Sequence, residues 1–395
     1  VYKRQGEYFT KENMLKGGLR IKNSNYFYFA DSLPAINPEF KDSIRNTFTK
    51  VDANVSILRN YDPNEVNYDV GLQFQGYFDR WDNKDLHVGI APKVNWKITD
   101  LWYADINSNL IFSNSSFDTL QQSRFFLDIT PTITFKMQGL SAQAGLKINS
   151  FTDSVSQFKA SPVLRATFEA VPEKLYLKAG LLGEMHYLKY YDLIEDNRYI
   201  NRAPSIRPMR DIYNVYVGVD GQLAKYFTYS ANIYTKKVKD QLIYFNPEGG
   251  AYFEMLYDSN FTQSGLQLAM TFNKNDKIRA GIQGDFRSFK TSNISHNFNM
   301  PGTKVDLWAS YNFADKVFIG TEVYLFGPRV MSVDSAGADI SQGITADINL
   351  SAEYRFNKRF SVFLELNNLL DNKWQRWYNY QERPFDVKGG LTFSF

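Results

Sequence analysis

Apolar and polar residues alternate with a period of two along nearly the whole chain. The last stretch shows it most cleanly. Val387, Gly389, Leu391, Phe393 and Phe395 fall on one side, and Lys388, Gly390, Thr392 and Ser394 on the other. In 344–356, Ile344, Ala346, Ile348, Leu350, Ala352, Tyr354 and Phe356 alternate with Thr345, Asp347, Asn349, Ser351, Glu353 and Arg355. Successive side chains of a β-strand point to opposite faces, so each segment is a strand with one apolar and one polar side. Asp347, Glu353 and Arg355 on one face would be costly inside a dry sandwich core, but not against water.

Composition narrows the class. Aromatic residues make up 16% of the 395, yet hydrophobic residues reach only 44% and the mean hydropathy is negative. No apolar run approaches the roughly 20 residues of a spanning helix. The aromatic load excludes disorder, and the absence of cysteine excludes a disulfide framework. A net charge of +3 gives no basic footprint for nucleic acid. What fits is an all-β chain: a transmembrane antiparallel up-and-down β-barrel, whose strands meet lipid with every second residue.

About eighteen such segments are expected from 14–30 to 386–395. They include 101–114, 122–136, 226–246, 251–273 and 359–371. Short turns are expected at Asp62-Pro63-Asn64, Thr99-Asp100, Gln138-Gly139, Ala314-Asp315 and Asn357-Lys358, among others. Longer connections are expected at 31–46, 114–122, 188–208, 290–302, 329–341 and 372–385. Short periplasmic turns and long outer loops are the barrel pattern, and it puts the C-terminus in the periplasm. Trp96, Phe135, Phe168, Phe272, Phe313, Phe356 and Phe395 then form an aromatic girdle at the periplasmic interface. No linker divides the strands, so residues 6–395 are expected to be one barrel domain. Val1-Tyr2-Lys3-Arg4-Gln5 resembles a translated sequencing-adapter end, so residues 1–5 are read as an adapter scar and set aside. With no initiator Met or signal peptide, the chain is read as a fragment.

Asn368-Leu369-Leu370-Asp371-Asn372-Lys373-Trp374 resembles the Asn-Leu-Phe-Asp-Lys-Lys-Tyr element of TonB-dependent receptors. Pro384-Phe385 and a final strand ending in Phe395 follow it. The turn Asn246-Pro247-Glu248-Gly249-Gly250 and the segment around Gly265-Leu266-Gln267-Leu268 resemble a late hairpin of the same family. The resemblance covers roughly 211–395. It implies a Gram-negative outer-membrane barrel of 22 strands, with a plug domain and TonB coupling supplied from a region missing here. The terminal Phe is similar to the signal read by the barrel-insertion machinery.

The site candidates are of two kinds. Lumen-facing charges of both signs are expected at Arg165, Arg279, Asp285, Arg287, Asp306, Glu322, Glu353, Arg355 and Lys388, lining a hydrated route or gripping a plug. Ligand contacts in outer loops are expected at Trp374, Arg376, Trp377, Tyr378 and Tyr380, where rings and guanidinium groups could stack on a sugar or aromatic ligand. Arg198 and Arg202 in 188–208 are expected to meet ligand, or phosphates of outer-membrane lipid and lipopolysaccharide. The three histidines, His87, His186 and His296, have no metal-binding spacing, and no nucleophile motif is present. Neither a catalytic step nor a cofactor is therefore expected. The function expected is transport across the outer membrane. The alternatives are a plug-less passive porin and a barrel that scaffolds an assembly or secretion complex.

Overall fold

The computed structural model describes residues 2–10, 12–28, 42–59, 62, 65–118, 120–153, 155–275 and 277–393. The chain divides into two compact units. One comprises residues 1–167, 180–215 and 237–261, and the other residues 168–179, 216–236 and 262–395. Among the described residues nineteen strands belong to one large antiparallel sheet. Among the described residues no helix is long and apolar enough to cross a membrane.

In the first unit the strands Tyr2–Phe9, Asn13–Phe27, Arg45–Arg59, Asn67–Asp79, Lys84–Lys97, Trp102–Phe117, Leu120–Met137 and Leu140–Thr152 pair in succession. One face is apolar and open. Leu72 lies opposite Ile90, and Val88 opposite Phe112. Leu72 is 54% exposed, and Val88 and Phe112 are each 55% exposed. The other face carries buried Lys50, Gln75, Asp85, His87, Ser115 and Arg124. Polar residues inside and apolar residues outside reverse the order of a water-soluble sheet, and suit a sheet whose outer solvent is lipid.

In the second unit the ladder runs from Phe261–Lys274 through Ile278–Lys290, Thr303–Phe313, Val317–Phe326, Thr345–Arg355 and Phe360–Asn367 to Asp386–Phe393. At the Ala314-Asp315 turn both residues take positive φ, 52° and 58°, the sign pattern of a I′ hairpin turn. Asn312 locks it by donating from Nδ2 to Asp315 Oδ1 at 2.7 Å. Close to such short turns aromatic rings pair, three of the pairs including a residue of the expected girdle. Trp102 and Phe135 lie 4.9 Å apart, Phe227 and Phe272 4.7 Å, and Phe356 and Phe360 5.2 Å. Phe168 and Phe313 are exposed and Trp96 is half-buried. Phe395, Pro63, Asn64 and most of 31–46 lie outside the described residues.

Several expectations are corrected. Against about eighteen strands expected, the main sheet has nineteen among the described residues, the additional one being Tyr2–Phe9, which pairs with Asn13–Phe27. The connection at 114–122 is tight, with the ladder running up to Phe117 opposite Leu120. Its run of Ser and Asn reads as loop chemistry, yet Ser113 and Ser115 are buried on the polar face and Ser115 donates to Asp85 of the neighbouring strand, a context that overrides weak strand propensity. The segments 226–246 and 251–273 each break in two. Asp240 takes a φ of 59°, and beyond it Gln241–Phe245 pairs only with Glu254–Asp258 as a separate hairpin. Arg329–Val333 with Asp339–Gln342, and Gln375–Trp377 with Tyr380–Gln381, form further small hairpins within long connections. The strand expected over 359–371 ends at Asn367. The connection 188–208 contains a helix, α1 (Tyr190–Asp196), which no period in the sequence announced.

Candidate functional site

In the first unit, α1 lies on the polar face of the sheet. Its Tyr190, Tyr191, Leu193 and Ile194 are buried, and Asp192 sits in its first turn, where the helix dipole favours negative charge. Tyr190 is fully buried, with ring centroids 4.7 Å from Phe117 and 5.0 Å from Tyr77. That burial pushes its phenol well above the ordinary range.

Strand side chains hold the helix by its backbone. Tyr191 donates its N–H to Asp85 Oδ2 at 2.9 Å. Lys50 Nζ donates to the carbonyl of Tyr191, and the Tyr191 hydroxyl donates to Asp52. Lys189 Nζ donates to Gln75 Oε1 at 2.7 Å, and Arg124 Nη1 to the carbonyl of Leu188 at 2.9 Å. Glu195 Oε1 lies 2.9 Å from Lys22 Nζ and 3.0 Å from Lys50 Nζ. Burial acts to raise the Glu195 carboxyl, but the hydrogen bonds and charges of the two lysines outweigh it and hold it down at about 2.

Beneath the helix, Asp85 also meets His87 Nε2 at 2.7 Å and Ser115 Oγ at 2.5 Å. This polar cluster was missed in the sequence. Its trace there is Asp85 and His87 two residues apart on one strand face.

The arginines of this connection diverge. Arg202 places its guanidinium 3.6 Å from the centroid of the Trp81 ring, a cation–π contact, whereas Arg198 is exposed. The other two histidines each face an aspartate, His186 with Asp211 at 3.1 Å and His296 with Asp339 at 3.0 Å. Among the described residues no group of three or more His, Cys, Asp or Glu is arranged to hold a metal ion.

In the second unit most of the expected charges occur in short-range pairs. Residues i and i+2 share a strand face. Asp285 lies 3.6 Å from Arg287, Asp306 lies 3.0 Å from Lys304, and Glu353 lies 2.9 Å from Arg355. Glu322 accepts from the Tyr324 hydroxyl at 2.8 Å. Lys388 stands opposite Glu365, and Arg279 opposite Ser310, in the strand register. In the first unit, Arg165 Nη1 donates to Gln143 Oε1 at 3.1 Å.

The long connections of the second unit enclose a cavity of about 530 Å³ lined by Arg287, Lys304, Tyr324, Phe326, Arg329, Asp347, Trp374, Arg376, Trp377 and Glu382. This volume is in the range of small-molecule sites. Of the expected loop contacts, Trp374, Arg376 and Trp377 line it. Tyr378 and Tyr380 do not; the Tyr378 N–H instead approaches Asn299 Oδ1 at 3.4 Å, and Tyr380 is buried. Trp374 stacks on Phe326 with centroids 5.3 Å apart.

The Asn-Leu-Leu-Asp element fixes this loop. Asn368, at a φ of 47°, donates from Nδ2 to the carbonyls of Asn372 at 3.0 Å and Arg383 at 2.9 Å. Asp371 Oδ1 accepts from the Phe385 N–H at 3.0 Å. Sequence reasoning missed Arg329. It is 6% exposed, and burial lowers its guanidinium to about 10, so it stays charged at neutral pH.

A sheet this large, with an open apolar face, a polar face folded over by its own connections and an aromatic girdle, has the fold of a large outer-membrane β-barrel. Solved structures similar to it include TonB-dependent iron and siderophore receptors. The FrpB iron transporter of Neisseria meningitidis matches with a TM-score of 0.76 at 12% identity, over 100% of this chain and 71% of that one. The siderophore receptor PirA of Acinetobacter baumannii matches with a TM-score of 0.76 at 12% identity, over 100% and 70%. The ferric enterobactin receptor PfeA of Pseudomonas aeruginosa matches with a TM-score of 0.71 at 13% identity, over 98% and 68%. These neighbours are transporters and receptors, not enzymes. No protein-family model matches the chain, and no curated protein matches it in sequence.

Proposed function

We propose that this chain is the barrel of an outer-membrane transporter of the TonB-dependent receptor type. The observation that carries the reading is the likeness in fold to three such receptors, over 98–100% of this chain and 68–71% of theirs. Residues 6–395 act as one barrel domain in this reading. The polar face provides the route, and the long connections select the cargo. Energy coupling runs through a plug and a TonB-binding segment outside these residues. The apolar face meets lipid, the outer connections meet lipopolysaccharide, and the C-terminal strand addresses the insertion machinery. Siderophore or iron cargo is the class suggested by the neighbours' names.

The folding of 188–208 onto the polar face favours a gated transporter over an open porin. Conductance in a planar bilayer tests this. In the receptor reading the native full-length protein stays closed, whereas steady open-channel conductance of that protein points to the porin. Recovery of the upstream reading frame separates the same readings, because a signal peptide directly before residue 6 excludes a plug. A stable partner co-purifying from native membranes would instead favour the scaffold reading. Labels at Asn275 should react only from the periplasm and labels at Trp377 only from outside; the reverse pattern overturns the orientation.

A further inference from the structure

We propose that Arg329 anchors a site for a small organic oxyanion, a carboxylate or a phosphate ester, whose carbon skeleton rests against Trp374 and Trp377. This deepens the transport reading by naming the class of ligand the cavity of the second unit takes.

Arg329 is 6% exposed and lines that cavity. Its Nη2 is committed, donating to the carbonyl of Gln375 at 2.7 Å and reaching Gln342 Oε1 at 3.3 Å. Its Nη1 is buried with no hydrogen-bond partner among the described residues. Both acceptors are neutral, so the buried cation keeps its charge without contact from a carboxylate, an arrangement that burial alone makes costly. A planar guanidinium with a free edge is the side chain suited to carboxylate or phosphate oxygens.

Arg376 of the same wall lies 5.5 Å from the centroid of the Trp377 ring, and two further cations differ from Arg329. Arg287 lies by Asp285 at 3.6 Å and donates to the carbonyl of Pro301 at 3.0 Å, while Lys304 pairs with Asp306 at 3.0 Å. Asp347 also lines the cavity, and its Oδ1 has no hydrogen-bond partner among the described residues. It therefore offers an acceptor to a hydroxyl or ammonium on the same ligand.

The test uses the full chain in detergent micelles with three probes: benzoate, phenyl phosphate and neutral benzamide. Saturation-transfer NMR should show at least one anion bound, and the tighter of the two names the headgroup. Benzamide should fail to compete. Arg329→Gln should weaken the anion by about tenfold or more, and Arg359→Gln, on a distant turn, should leave it unchanged. Should Arg329→Gln fail to fold, the wild-type chain is photolabelled with 4-benzoylbenzoate. Adducts are then expected on the peptides holding Phe326 or Trp374. No anion binding, equal binding of benzamide, unchanged affinity in folded Arg329→Gln, or adducts elsewhere would each overturn the proposal. Binding that depends on Arg329, in a protein whose upstream reading frame encodes no plug, would leave this site standing and count against the receptor reading. A plug upstream, with anion binding indifferent to Arg329, would do the opposite.

Discussion

Glu195 Oε1 lies 3.0 Å from Lys50 Nζ, and so ties the last turn of α1 to a strand lysine that is 2% exposed. The folded carboxyl sits at about 2 against an ordinary value of 4.5. Its stabilising contribution is therefore full above about pH 4.5 and lost as pH falls toward 2. The Glu195 side chain is 45% exposed, so solvent screens the pair and the effect is local. Amide hydrogen exchange over 188–208 should accelerate through that window while the strands stay protected. Glu195→Gln should exchange faster already at pH 7 and lose the dependence. If wild type and variant titrate alike, the ion pair does not anchor the helix.

Tyr190 carries the apolar part of the same docking. Truncation to Ala removes a fully buried ring packed on Phe117 and Tyr77, a loss of about 3–5 kcal/mol for a large aromatic side chain. The expected outcome is selective proteolysis within 188–208, with the sheet intact by circular dichroism. Uniform unfolding of the whole chain would show that the helix and sheet are not separable.

Leu72 and Gln73 are neighbours on opposite faces of the strand Asn67–Asp79. If the apolar face meets lipid, Leu72→Arg should destabilise the barrel in bilayers by about 2–4 kcal/mol, the range for a cationic residue near the midplane. Gln73→Arg should cost far less. Denaturant unfolding in lipid vesicles measures both, and equal costs would contradict the facing.

Asn368 shapes the aromatic connection through two donated hydrogen bonds and a positive φ. Asn368→Ala should cost about 1–3 kcal/mol by leaving backbone carbonyls unpartnered and by forcing Ala into the left-handed region. It should also blur the binding wall formed by Trp374 and Trp377. Thermal unfolding checks the first effect and probe titration the second. Full stability in the variant would mean that the turn is held by Asp371 alone.

The alternation in 344–356 and 386–395 identified both faces of those strands, because the pleat points neighbours apart whatever their surroundings. Turn chemistry was legible for the same reason: Asn312, Ala314 and Asp315 close a hairpin with atoms three residues apart. The limits of such local reading appear at 114–122, where polar composition suggested a loop and cross-strand pairing carried the ladder to Phe117 and Leu120. They appear again at Asp240, where one residue at positive φ splits a segment whose alternation continues.

The sequence by itself determined the class: many antiparallel strands, one face apolar and one polar, with rings near the short turns. Those features follow from period, composition and turn residues. Only the tertiary structure decided what the long connections do. Lys50 meets Glu195 across 145 residues of chain, and Arg329 reaches the carbonyl of Gln375 across 46. No local pattern encodes such contacts, because they form only after the sheet has set the distance between strands far apart in sequence.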